Sequence, residues 1–155
     1  MEKAAKEKQA IEAAGDGICE NKEEKVNFSG SGLRKLDVSK GTDITELYVQ
    51  DNCLDEIDLT NNRRIRILDC TGNPLKYIKG FAPGSGEFLG IEAARGGSVG
   101  LKYSPEDGQR YFAYPDEGYV FGGWYNALGD RLSKETAWSG EYGCGMEIVA
   151  MFIKR

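Results

Sequence analysis

Residues 44–80 read ITELYVQDNCLDEIDLTNNRRIRILDCTGNPLKYIKG, and the fold that the sequence predicts depends on this stretch. Its apolar and amide positions recur after 21 residues, so that Leu47 aligns with Leu68 and Asn52 with Asn73. Self-similarity at a constant interval is typical of stacked coils, each of which adds one short strand to a shared core. The same register predicts three repeats and a final strand, at 23–43, 44–64, 65–85 and 87–92.

Side-chain alternation within a repeat predicts which positions face the core. Leu47 and Val49 are two residues apart, so both point to the same face of a short strand. Asn52 and Asn73 follow the strands, where the chain turns away from the sheet. An inward amide at such a place can bond backbone groups that no sheet partner reaches. We therefore expect both asparagines to be buried and hydrogen-bonded.

The four cysteines are widely separated along the chain, at Cys19, Cys53, Cys70 and Cys144. Cys70 occupies a core position of its repeat, whereas Cys53 occupies an outward one. A bridge between an inward and an outward side chain has unsuitable geometry, so we expect these two thiols to be free. The spacing leaves the state of Cys19 and Cys144 undetermined.

The chain begins with the charged, helix-favouring stretch MEKAAKEKQAIEAA. Ala4, Ala5, Ile11 and Ala14 form a weak apolar stripe at helical spacing. The pattern predicts an N-terminal helical cap over residues 1–22 that docks on the first repeat. The alternative is a disordered chain end.

Residues 97–155 are rich in aromatic residues and in Gly, Pro and Asp turns. Runs of strand-forming residues occupy 99–103, 110–114, 119–125 and 146–153. They predict a second, β-rich unit over 97–155 that packs on the repeats. The predicted fold class is therefore mostly β, with short irregular and 3-10 coils and the helical cap.

Two resemblances accompany these patterns. The repeats, with LDVS at 36–39 and LDCTGN at 68–73, resemble the leucine-rich repeats of bacterial surface proteins. The run AYPDEGYVFGGW at 113–124, with AMF at 150–152, resembles the internalin-type B-repeat, or Listeria–Bacteroides repeat. Together they imply a leucine-rich-repeat solenoid followed by a small β-grasp-like unit. They also imply an adhesion or spacer role in an extracytoplasmic bacterial protein, secreted or at the cell surface.

Composition excludes several kinds of chemistry. The chain has no histidine, so histidine-dependent catalysis and histidine metal sites are excluded. A net charge of -5 argues against binding nucleic acid, and no apolar run is long enough to insert into a membrane. The carboxylate pairs Asp51/Asp69 and Glu87/Glu92 fall on turns rather than in an apolar pocket. We therefore expect a protein that is not an enzyme and that binds no cofactor or metal.

Outward positions of the repeat strands predict a protein-binding face. Its apolar members are Tyr48, Ile67 and Phe88, and its polar members are Glu46, Gln50 and Asp69. Four strands at about 4.8 Å spacing would make this face about 15–20 Å wide, which suffices for weak binding only. The alternative is that the C-terminal unit covers the face. We expect a monomer whose partner is a protein of undetermined identity, a host extracellular protein being one option.

A different hypothesis assigns the chain to polysaccharide binding. Tyr125 and Trp138, beside Trp124, could form an aromatic platform on which sugars stack. Burial of the aromatic rings in the core of a small unit is the competing interpretation. A third hypothesis is a structural spacer that has no ligand of its own.

Overall fold

The computed structural model describes residues 16–18, 24–82, 89–139 and 147–155 and folds them into β-strands joined by turns. The strands are β1 (Asp16–Ile18), β2 (Lys25–Asn27), β3 (Lys35–Asp37), β4 (Glu46–Tyr48), β5 (Glu56–Asp58), β6 (Ile67–Asp69), β7 (Tyr77–Phe81), β8 (Leu89–Ala93), β9 (Gly97–Ser104), β10 (Gly108–Pro115), β11 (Tyr119–Asn126), β12 (Arg131–Ser133), β13 (Ala137–Trp138) and β14 (Glu147–Lys154). These residues include no helix, and hence none that is long and apolar enough to cross a membrane.

The first six-stranded sheet has the order β13-β10-β9-β6-β4-β2. Strands β2, β4 and β6 run parallel, and their paired residues are 21 apart: Val26 lies beside Leu47, and Leu47 beside Leu68. At the far edge of β6 the direction changes, because β9 pairs with it antiparallel. Strands β10 and β13 continue the antiparallel part.

The second six-stranded sheet has the order β12-β11-β14-β8-β7-β5. It also mixes directions: β5 and β7 are parallel, β7 and β8 antiparallel, β8 and β14 parallel, and β14 and β11 antiparallel. Strands β1 and β3 form a separate parallel pair. Inward side chains of both large sheets form one hydrophobic cluster, to which Leu47 and Leu68 contribute from one sheet and Trp124 and Ile148 from the other.

The predicted fold class is wrong in three respects. The chain is not a leucine-rich-repeat solenoid, because antiparallel strands complete both sheets: β9 pairs with β6, and β8 pairs with β7. The C-terminal strands do not form a β-grasp-like sheet of their own but are divided between the two mixed sheets. A strand edge offers N–H and C=O groups to neighbours of either direction, so periodicity along the chain cannot decide which strand pairs there.

The helical cap is the third error. Asp16–Ile18, within the range predicted to be helical, is a strand that pairs parallel with Lys35–Asp37. Ala4, Ala5, Ile11 and Ala14, which carried the helix prediction, lie outside the described residues. The final strand was predicted beside β6, whereas Leu89–Ala93 lies in the second sheet between β7 and β14.

The buried asparagines confirm a prediction made from the repeat. The Asn73 Oδ1 accepts hydrogen bonds from the backbone N–H groups of Asn52 and Leu54, each at 3.1 Å. Its Nδ2 donates to the carbonyls of Val49 and Cys70. Asn52 bonds the preceding layer in the same way through Ser31, Leu33 and Phe28. Each amide thus ties backbone groups of neighbouring layers that the sheet leaves unpaired.

The C-terminal strand predictions are also confirmed, since β9, β10 and β11 contain the predicted runs and β14 covers nearly all of the last one. A bulge between Phe121 and Gly123 interrupts the pairing of β11 with β14. Gly123 has a φ of 128°, a value that side chains disfavour. The bulge shifts the alternation of inward and outward side chains along β11, so Trp124 points inward and is fully buried.

Candidate protein-binding site

The outer face of the first sheet brings five of the six predicted binding residues together. Glu46 lies directly beside Ile67, and Tyr48 directly beside Asp69, across the β4–β6 pair. Gln50 follows β4 on the same side, and all five residues are partly buried. Phe88 lies outside the described residues. The place beside β6 where the repeat predicted it is occupied by β9.

Two of the three parallel strands end in an identical short turn. The Asn27 Oδ1 accepts hydrogen bonds from the Ser29 backbone N–H and hydroxyl, at 2.9 and 2.7 Å. The Asp69 Oδ1 accepts the equivalent pair from Thr71, at 3.1 and 2.6 Å. In both turns the polar side chains satisfy each other locally, as Asx turns do.

The middle strand, β4, departs from this arrangement. Tyr48 and Gln50 stand where its neighbours have Asn or Asp and Ser or Thr. The Oε1 of Gln50 is buried and has no hydrogen-bond partner among the described residues. A buried acceptor without a donor costs about 1–3 kcal/mol, and a ligand donor can relieve that cost only if the Gln50 side chain turns outward to meet it. Aligning the strand ends 21 residues apart would have revealed this departure from sequence alone.

The Tyr48 ring is held in place by its neighbours. Its hydroxyl donates a 2.7 Å hydrogen bond to the Glu46 Oε1, and the Lys25 Nζ lies 3.5 Å from the other oxygen of that carboxylate. The hydrogen bond to Glu46, followed by burial and by the charges of Glu46 and Asp69, raises the pKa of Tyr48. The phenol is therefore a neutral, pre-oriented group on the surface.

Strands β9 and β10 extend the face beyond β6. Lys102 lies beside Asp69, and Arg110 lies beside Lys102 in the next strand. The Tyr114 hydroxyl accepts a 3.3 Å hydrogen bond from the Gly72 N–H, so the ring crosses over Gly100. Sequence reasoning missed these residues because they belong to no repeat.

The extended face is wider than predicted. Six strands about 4.8 Å apart span about 24 Å, and because they have only two to eight residues at about 3.3 Å each, the face covers on the order of 400 Å². The C-terminal strands thus lie beside the repeat strands in the same sheet. A surface of this size is about half of the roughly 800 Å² per partner of a standard protein interface, so it suits weak binding.

The two residues proposed for polysaccharide binding are not brought together. Trp138, on β13 of the first sheet, packs against the rings of Tyr111 and Trp124, at centroid distances of 5.2 and 6.3 Å. Tyr125, on β11 of the second sheet, lies beside Val149. Because Trp124 points into the core, its neighbour Tyr125 points away from the Trp138 cluster. The three rings do not share one platform.

The two cysteines within the described ranges follow the prediction from the repeat. Cys53 is exposed, Cys70 is buried, and both are free. Burial raises the pKa of the Cys70 thiol to about 12, so Cys70 is a packing residue. Among the described residues, no three His, Cys, Asp or Glu side chains are grouped so that they could hold a metal ion.

No protein-family model matches the chain, and neither a curated protein nor a solved structure matches it. What the outer face of the first sheet does is therefore inferred from its own residues.

Proposed function

We propose that this chain is a non-enzymatic protein-recognition module that binds its partner on the outer face of the first sheet. The observation that carries the proposal is the Tyr48–Gln50 pair. It interrupts an arrangement in which neighbouring turns satisfy their own polar groups, and it leaves the Gln50 acceptor buried and without a partner among the described residues. A partner that supplies an N–H or O–H donor, once the Gln50 side chain turns outward, removes the cost of the unpaired oxygen.

Tyr48 and Ile67 supply the apolar contact beside that acceptor. They lie on adjacent strands, each next to a carboxylate: Tyr48 beside Asp69, and Ile67 beside Glu46. Tyrosine is enriched at the energetic centres of interfaces, because it buries a large ring while losing little conformational freedom. The bond to Glu46 reduces that loss further, since the ring is already oriented.

Charges on both sides of this centre favour a specific orientation of the partner. Glu46 and Asp69 lie on the repeat side, whereas Lys102 and Arg110 lie on the C-terminal side. A bound segment with basic residues at one end and acidic residues at the other matches this division. Complementary charges of this kind contribute more to specificity and association rate than to affinity.

We also propose a cellular setting, on the B-repeat resemblance of residues 113–124 alone. That resemblance implies a bacterial extracytoplasmic protein, in which protein recognition would serve adhesion.

The test is a peptide-display selection on the intact chain. Peptides enriched on the wild-type protein are then titrated by calorimetry against the wild type and against a Tyr48→Ala/Ile67→Ala variant. We expect the selected peptides to lose at least tenfold in affinity on the double variant, about 1.4 kcal/mol or more.

A matched control carries the same kind of truncation on the other sheet, Tyr77→Ala. Tyr77 is a half-buried tyrosine on β7, as Tyr48 is on β4, and binding should be unchanged. If the enriched peptides bind the Tyr48→Ala/Ile67→Ala variant as tightly as the wild type, the proposed function is wrong.

A further inference from the structure

The exposed large apolar side chains of the described residues gather on one face of the second sheet. Val120, Met151 and Ile153 are 37%, 41% and 57% exposed, and Leu128, in the turn after β11, is 85% exposed. A groove of about 410 Å³ runs between β11 and β14, lined by uncharged residues that include Gly122, Tyr125, Val149, Met151 and Ile153. Contiguous exposed apolar surface of this kind marks an interaction site.

The groove follows from the pleat of β14 and the glycines of β11. Val149, Met151 and Ile153 alternate with the buried Ile148, Ala150 and Phe152, so they project outward together. Opposite Met151, β11 has the glycine pair 122–123 at its bulge, and the Ile153 side chain and the Arg131 stem lie over these two glycines. The outward side chains of β14 thus stand beside a stretch of β11 that has no side chains of its own.

Charge is divided across this face along a single row of paired residues. Arg131 lies beside Tyr125, Tyr125 beside Val149, and Val149 beside Glu92. Read across four strands, the row is a cation, an aromatic ring, an aliphatic side chain and an anion. Arg131 and Glu92 are both exposed.

We propose that a second copy of this chain covers this face and forms a two-fold symmetric dimer. The two-fold axis lies between the second sheets of the two copies. It runs parallel to the strands, above the boundary between β11 and β14, and it places the row of one copy against the same row of the other in reverse order. Tyr125 then faces the Val149 of the other copy, and Arg131 faces its Glu92. Met151 faces the glycine pair 122–123 of the other copy and the Arg131 stem that lies over it. A two-fold interface must be self-complementary, and this row has that property in both polarity and charge.

The size of the face limits the strength of the dimer. The axis superposes four strands of each copy, β12, β11, β14 and β8, which have three, eight, eight and five residues and offer on the order of 400 Å² per copy. Two copies bury about 800 Å², less than a standard interface, so we expect a weak dimer with a dissociation constant of about 100 µM. This dimer differs from the monomer expected from sequence.

Sedimentation velocity of the full chain from about 10 to 500 µM tests the proposal, with a monomer-to-dimer transition expected within that range. Met151→Glu should raise the dissociation constant at least about tenfold, because it places a charge in the apolar centre. Glu92→Arg should raise it as well, since two cations then face each other. The double variant Glu92→Arg/Arg131→Glu should restore it to within about threefold of the wild type.

The matched control is Glu56→Arg, which makes the same change at an exposed position on the same row but at the far edge of the sheet, on β5. It should leave the dissociation constant unchanged, and circular dichroism melts show whether each variant is folded. A chain that sediments as a monomer throughout, or a double variant that is no better than Glu92→Arg alone, overturns the proposal. Peptide binding to the first sheet is measured separately and does not depend on this outcome.

Discussion

Asp69 and Lys102 lie directly opposite each other where the last parallel repeat strand meets the first antiparallel strand of the C-terminal segment. Both belong to the outer face of the first sheet, and Tyr48 lies on the other side of Asp69. The junction joins two sequence regions of different character into one surface. The proposed partner therefore contacts both regions at once. Neither region alone would bind it.

Gln50→Leu separates a binding role from a structural one. Because no other described residue bonds the Gln50 Oε1, replacing the amide with an apolar side chain should leave the free energy of unfolding unchanged or raise it by up to about 1 kcal/mol. The same change should weaken selected peptides at least tenfold, because it removes their acceptor. Urea unfolding and calorimetric titration measure the two effects. A large loss of stability with full binding would show that Gln50 is only structural.

Alkaline titration tests the environment of Tyr48. Its pKa is raised, chiefly by the hydrogen bond to Glu46, so its phenol should ionise later than exposed tyrosines. The raised pKa means that the neutral phenol of Tyr48 contributes to folding stability. This contribution is fully present below the pKa of an unfolded tyrosine and is lost as the pH rises through the pKa of Tyr48 in the folded protein. Glu46→Gln removes the negative charge and should lower the pKa of Tyr48. The difference in tyrosinate absorbance between each protein and its Tyr48→Phe counterpart isolates this group.

Asn73→Ala should destabilise the fold by about 2–4 kcal/mol, because it leaves buried backbone N–H and C=O groups of two layers without partners. Asn61→Ala is the control. Asn61 is exposed and makes one bond, to the carbonyl of Ser39, so its loss should cost less than about 0.5 kcal/mol. Equal effects in chemical denaturation would contradict the role assigned to the buried amides.

Gly97→Ala tests the contact between the two sheets. A Cβ at Gly97, in β9, would overlap the ring of Phe152, in β14, and the expected cost is about 1–3 kcal/mol. Phe152→Leu in the same chain should recover part of that cost by removing the overlap. The coupling between the two positions, measured as a double-mutant cycle in thermal unfolding, should therefore differ from zero. Additive effects would show that the two side chains do not meet.

Local features were predictable because they depend on neighbours along the chain. The interval of 21 residues places Leu47 beside Leu68. The alternation of side chains along a strand buries Val49 and places Tyr48 on the outer face. The Asn52 and Asn73 amides face inward, as the repeat predicts. The glycine pair before Trp124 indicates the bulge that turns this ring into the core. In each case the spacing of side chains along one strand decides which of them point inward.

The partners of strand edges were not predictable in this way. The sequence indicates a strand at 87–92 and assigns it to the edge of β6, but β9 occupies that edge and Leu89–Ala93 joins the other sheet. The helical cap predicted over 1–22 is wrong at Asp16–Ile18, which is a strand with a partner in Lys35–Asp37.

The sequence by itself determined the apolar periodicity, the inward asparagines and five described residues of the candidate face, because the spacing of side chains along a strand sets which way each one points. Only the tertiary structure decided that Lys102, Arg110 and Tyr114 complete that face, and that Arg131, Tyr125, Val149 and Glu92 form one row. These residues are brought together by hydrogen bonds between strands that are distant in the chain. Any strand edge can make such bonds, so the choice among edges is settled by how the whole core packs.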